Sequence, residues 1–183
     1  MSSSREFEPT RLDVEKFAGE GAVLQGNWPL PDLPRLCESA APDRPPGRDE
    51  PVVWEARGER KGGVEPETWL HIAANASMAL QCQRCLAPVE VDIGVDRRFR
   101  FVAGEAAAAA LDAACEDDVL ASTRALDLRA LIEDELLLAL PLVPMHTACS
   151  APQAVRDTGL PVEEIVHPFA GLAALKRQAG GEH

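Results

Sequence analysis

The chain has 183 residues, with 30 Asp and Glu against 18 Lys and Arg, a net charge of −12 and a pI near 4.7. Broad phosphate binding needs clustered cations, and base stacking needs exposed aromatic rings. With 4% aromatic residues and no Tyr, the composition argues against a nucleic-acid coat and for a soluble protein with a basic partner. One domain is expected at this length, with a core large enough to fold without disulfides. The five cysteines (Cys37, Cys82, Cys85, Cys115, Cys149) are an odd number, and Met1-Ser-Ser-Ser-Arg-Glu6 lacks the basic-then-apolar pattern of a secretion signal. The thiols therefore read as cytoplasmic and reduced. No apolar run approaches the ~18 residues of a membrane span.

Residues 1–20 are polar and read as a mobile, loosely docked N-terminal arm, with Asp13–Gly19 able to form one or two helical turns. Gly21–Leu30 alternates weakly and looks like a strand, and Leu33–Cys37 suggests a short helical turn. Cys37 is alone in an apolar neighbourhood, so an inert structural thiol is the plain reading. Residues 40–50 hold three prolines and a glycine and are a loop. Pro51–Gly58 places Val52, Trp54 and Ala56 on one strand face, followed by a charged turn. Trp69–Leu80 continues as a strand with His71 turned away from the Leu70 and Ile72 side.

The strand after Cys85 puts Val89, Val91, Ile93 and Val95 on one face, with Phe99 and Phe101 in phase and Arg98 and Arg100 opposite. Arg97, Arg98 and Arg100 form the densest basic patch. It reads either as a solvated strand face or as a contact for phosphate or an acidic partner. Residues 103–118 carry an alanine run that favours helix but has little to bury, so a mobile acidic insertion with transient helix is expected. Asp127 is a ready N-cap for the strongest helix, Leu128–Leu140, whose stripe comprises Leu128, Leu131, Ile132, Glu135, Leu138 and Ala139. Glu133, Asp134 and Glu135 read as a solvated acidic face, with Glu135 at the apolar edge. His167–Arg177 is expected to form a short terminal helix. The fold class is therefore α+β: a twisted antiparallel sheet or partly open barrel with one main packed helix and a short C-terminal helix.

Cys82 and Cys85 form a Cys-x-x-Cys pair in a tight turn between two strands, and His146 and Cys149 form a second pair far along the chain. Zinc accepts a tetrahedral Cys3His set, so these four are candidate zinc ligands if the fold unites the pairs. The plainer alternative is a reduced, metal-free turn packed on the 128–140 helix. A thiol oxidoreductase is disfavoured, because no helix follows Cys85 to stabilise a thiolate.

Cys82-Gln-Arg-Cys-Leu86, then Glu133-Asp-Glu-Leu-Leu-Leu-Ala-Leu-Pro-Leu-Val-Pro-Met-His146 with Cys149, then Pro168-Phe-Ala-Gly-Leu-Ala-Ala-Leu-Lys176 resemble the YceD family, named for large ribosomal RNA subunit accumulation. The blocks come in the family's order and span the C-terminal two-thirds of the chain. The resemblance implies a cytoplasmic, non-enzymatic protein needed for synthesis, processing or stability of 23S ribosomal RNA. It also implies that His146 stands where a cysteine can occur. From the charge, the expected partner is a basic ribosomal protein or assembly factor met through residues 112–135, with Glu133 and Glu135 among them. Arg97, Arg98 and Arg100 are the expected minor contact to ribosomal RNA. A zinc-stabilised adaptor unrelated to ribosomes is the alternative.

Overall fold

The computed structural model describes residues 7–63 and 66–152. The expected helix at 167–177 lies outside these residues. Five strands form one open sheet in sequence order: β1 (Val23–Pro29), β2 (Pro51–Lys61), β3 (Glu67–Gln81), β4 (Pro88–Val102) and β5 (Asp118–Ala121). The first four make an antiparallel meander, as the alternating patterns predict, and β5 pairs parallel to the end of β4. The sheet is thus mixed and not closed into a barrel. Residues 118–121 are too short a run to announce a strand by alternation, and the parallel return needs the intervening 103–117 to cross back.

One sheet face is buried. It carries Val52, Trp54 and Ala56 of β2, Leu70, Ile72, Ala74, Ala76, Met78 and Leu80 of β3, and Ile93, Phe99 and Phe101 of β4. Four helices accompany the sheet: α1 (Val14–Gly19), α2 (Pro34–Glu38), α3 (Glu105–Asp112) and α4 (Leu128–Leu138). Asp13 caps α1 by accepting from the Lys16 amide at 3.1 Å, and Asp127 caps α4 by accepting from the Ala130 amide at 3.0 Å.

The N-terminal stretch differs from the expected loose arm. Leu12, Val14 and Phe17 are fully buried, and Leu12 bonds the backbone of Leu126 in both directions. The reason is a close approach at Gly58 of β2, where a Cβ would meet Ala18 Cα and the Phe17 carbonyl at 2.7 Å. Only a glycine lets α1 lie this near the strand. The alanine-rich stretch forms α3, whose one buried residue is Ala108. In α4 the buried residues are Leu128, Ile132, Glu133, Glu135 and Leu136. Leu138, placed on the core stripe by periodicity, is 79% exposed, and Glu133, placed on the solvated face, is 5% exposed. The helix is therefore rotated from its hydrophobic optimum toward two carboxylates.

Candidate metal centre

The turn between β3 and β4 is built by backbone bonds that any sequence could make and one conformation that few residues accept. The Cys82 amide donates to the Ala87 carbonyl at 3.0 Å, and the Leu86 amide donates back to the Cys82 carbonyl at 2.9 Å. Closing this loop puts Leu86 at φ 65°, the one positive φ of a non-glycine residue among the described residues. A left-handed Leu costs roughly 1–2 kcal/mol and persists only where its surroundings over-determine it. The result is a turn that aims the sulfurs of Cys82 and Cys85 to one side.

The second pair is delivered by Pro141–Cys149, which lies beyond the end of α4. The Gln83 amide donates to the Pro144 carbonyl at 2.9 Å, and Arg84 Nη1 donates to the Cys149 carbonyl at 3.3 Å. These bonds bring His146 and Cys149 against the turn. The three sulfurs and one imidazole nitrogen all lie within 4.8 Å of one another. Cys82 Sγ is 3.8 Å from Cys149 Sγ, and Cys85 Sγ is 3.3 Å from His146 Nδ1. The first separation is far too long for a disulfide bond, which is ~2.05 Å. It matches the ~3.8 Å edge of a tetrahedron whose metal–sulfur arms are ~2.3 Å. The two distant pairs expected to meet do meet.

The imidazole is held in the tautomer that ligation requires. His146 Nε2 donates to the Pro88 carbonyl at 3.0 Å, so its proton sits there and the Nδ1 lone pair faces the sulfurs. The Cys82 thiol is lowered to about 5, chiefly because the Cys85 amide points at its sulfur, with the His146 and Arg84 amides adding to it against burial. Burial, then the neighbouring Cys82 and Cys85 sulfurs, pushes the Cys149 thiol up. A thiol already inclined to lose its proton is one that a cation binds with less proton displacement. A lowered thiol pKa also serves redox pairs, but Cys82 is fully buried. The donor set is a Cys3His cluster able to bind a metal ion.

The other expected site residues fall elsewhere. Arg97 lies opposite Ile72 on the buried sheet face, in phase with Phe99, and its guanidinium reaches Asp118 at 2.8 Å and Glu135 at 3.3 Å. Arg100 pairs with Glu67 at 2.8 Å. Arg98 is exposed on the other face. The three arginines are therefore divided between two faces and do not form one patch. The sequence carried the signal, since odd and even positions of a strand point opposite ways.

Glu133 is the carboxylate that sequence reasoning misplaced. Its Oε1 accepts from the Arg35 and Leu36 amides at 2.7 and 3.1 Å, capping the start of α2. Its Oε2 accepts from Arg35 Nε and Nη2 at 3.1 and 2.9 Å, while Arg35 also bonds Asp134. Helix α2 has no capping side chain of its own, and α4 supplies one from almost a hundred residues away. Nothing local in the sequence announces that pairing. Burial, opposed by Arg97, raises the Glu135 carboxyl above its ordinary range.

A family model described as large ribosomal RNA subunit accumulation protein YceD matches residues 70–176, from the third strand through the Cys3His cluster and beyond. A curated protein of Haemophilus influenzae is 36% identical over 177 residues, covering 93% of this chain and 97% of its own length, and is named large ribosomal RNA subunit accumulation protein YceD. The chain belongs to the YceD family. The matched region of the YceD model contains all four cluster residues and both buried α4 carboxylates, Glu133 and Glu135. The YceD relative extends the likeness over the N-terminal third, where the sequence shows only general character. No solved structure matches the chain. Among the described residues no helix is long and apolar enough to cross a membrane.

Proposed function

We propose that this protein supports the accumulation of 23S ribosomal RNA without catalysing a reaction, as a zinc-stabilised factor acting in the cytoplasm through a basic ribosomal protein or assembly factor. The observation that carries this reading is the near full-length likeness to a protein named for large ribosomal RNA subunit accumulation. The chemistry of the chain supports a protein partner over direct RNA coating. Arg97 and Arg100 are taken up by internal carboxylates, so Arg98 is left as the contact for ribosomal RNA. One exposed arginine is too little charge for a broad phosphate surface. Glu133 and Glu135, the carboxylates best placed for acid–base work, are committed to internal bonds, which favours a non-catalytic role. The exposed acids of residues 112–135 are the contact for the basic partner, with Glu133 and Glu135 shaping that region from within.

Zinc suits three thiolates and an imidazole in tetrahedral array better than the oxygen-seeking cations do. Held there, it would fasten Pro141–Cys149 to the β3–β4 turn. The test is a strain depleted of the protein and supplied with the intact chain or with Cys82→Ser. The intact chain restores a normal ratio of large to small subunits in a ribosome profile, and Cys82→Ser restores it poorly. An unchanged subunit ratio on depletion refutes the ribosomal role. Purified protein without a stoichiometric metal refutes the zinc.

A further inference from the structure

Strand β4 is much longer than its parallel neighbour. β5 pairs only with Phe99–Val102, while β3 pairs with Pro88–Phe101 on the other side. At the opposite end, the Pro88 carbonyl is occupied by His146. From Val89 to Arg98, β4 therefore has no backbone partner on its β5 side among the described residues. Among the described residues that is an open sheet edge about 30 Å long. Unpaired N–H and C=O groups along such an edge are a template for an added strand.

The side chains of this edge select what could be added. Val89, Val91 and Val95 are half-buried on the α4 side, and Glu90, Asp92 and Asp96 are exposed on the other. Where β5 begins beside Phe99, the run Glu116-Asp117-Asp118 adjoins the open end. Arg97 is neutralised by Asp118 and Glu135, which leaves Arg98 as the one cation of this edge without a carboxylate partner among the described residues. Glu90, Asp92 and Asp96 also bond Arg44, Ser77 and His71, yet the edge keeps an excess of negative charge. Edge charges of one sign repel a second copy of the same strand and attract a strand of the opposite sign.

We propose that the open edge of β4, Val89–Arg98, is the docking site of an extended basic segment of the protein partner, which adds to the sheet as a strand in line with β5. Alternate residues of that segment would be apolar, against the valines, and cationic, against Glu90, Asp92 and Asp96. This deepens the reading of a basic protein partner and rests on it.

The test uses the full metal-loaded chain and an acetylated, amidated peptide of alternating lysine and valine as the probe, at low ionic strength. Amide exchange is followed by NMR. At a peptide concentration tenfold above Kd, alternate amides between Val89 and Arg98 slow by about tenfold. The double variant Asp92→Lys, Asp96→Lys weakens binding about tenfold or more. The control pair Glu15→Lys, Glu38→Lys, with the same change in charge, leaves it within about threefold. Absence of binding, binding without slowed β4 amides, or equal weakening by both pairs overturns the proposal. These readouts are independent of ribosomal RNA. A slowed edge with no ribosomal defect on depletion removes the function while keeping the edge site, and the reverse removes the edge site alone.

Discussion

Replacing Cys149 by Ser is the sharpest perturbation of the proposed metal centre. Between Pro141 and Cys149 no residue is buried and none lies in a helix or strand. Fixing the backbone of these nine residues costs about 1–2 kcal/mol each, or roughly 9–18 kcal/mol. The bonds from the Gln83 amide, Arg84 and His146 Nε2 offset about 1 kcal/mol apiece. A structural zinc contributes about 10–16 kcal/mol, which is the size of the remainder. The segment should therefore be ordered only while metal is bound. The assay is amide exchange of the Gln83 N–H, whose acceptor is the Pro144 carbonyl. In Cys149→Ser, or after chelation, this amide should exchange at least about a hundredfold faster, while amides of Leu70 and Ile72 in the core keep their protection. Metal content should fall from one per chain. A metal-free chain in which the Gln83 amide stays protected would refute the reasoning, because some other contact would then be holding the segment.

Glu133→Ala should lower stability by about 1–3 kcal/mol in urea denaturation, since it strands the Arg35 and Leu36 amides at the start of α2; a cost below about 0.5 kcal/mol would show that the cap is idle. Glu135 behaves in the opposite sense. Its folded pKa lies above the ordinary value of 4.5, so as pH rises through that value the unfolded chain releases the proton first and the folded state loses stability. Glu135→Gln should thus gain on the natural chain as pH rises from about 4 toward 7, and a gap that narrows instead would place the ion pair with Arg97 above burial. Gly58→Ala should cost about 1–3 kcal/mol, because its Cβ would meet the backbone of α1 at 2.7 Å, and an unchanged urea midpoint would mean that α1 is not held against β2.

Much of this architecture could be read from local pattern. Period-two alternation located the four long strands, and Asp127 announced its helix because a cap acts within three residues of itself. The spacing of Cys82 with Cys85, and of His146 with Cys149, defined two half-sites, and the fold unites them. What escaped depends on partners remote in sequence. Glu133 looks solvated until α2 is placed against it, and Leu138 looks buried until α4 turns to accommodate that carboxylate. The docking of Phe17 depends on a missing side chain at Gly58, which no hydrophobic pattern registers. Arg97 is a different case: its parity with Phe99 was visible, but three adjacent cations drew attention from the face each one takes.

The wide gap between the half-sites sets an order of events during synthesis. The meander from β1 to β4 is complete in the emerging chain by Val102, with Cys82 and Cys85 already side by side. The imidazole and last sulfur follow only after α4 has been made. A cation captured early would have two protein ligands and could leave. Its capture would become durable once Cys149 arrives, so the cluster would act as a latch thrown only after α4 is made, fastening the last described stretch of chain to a sheet that has already taken shape.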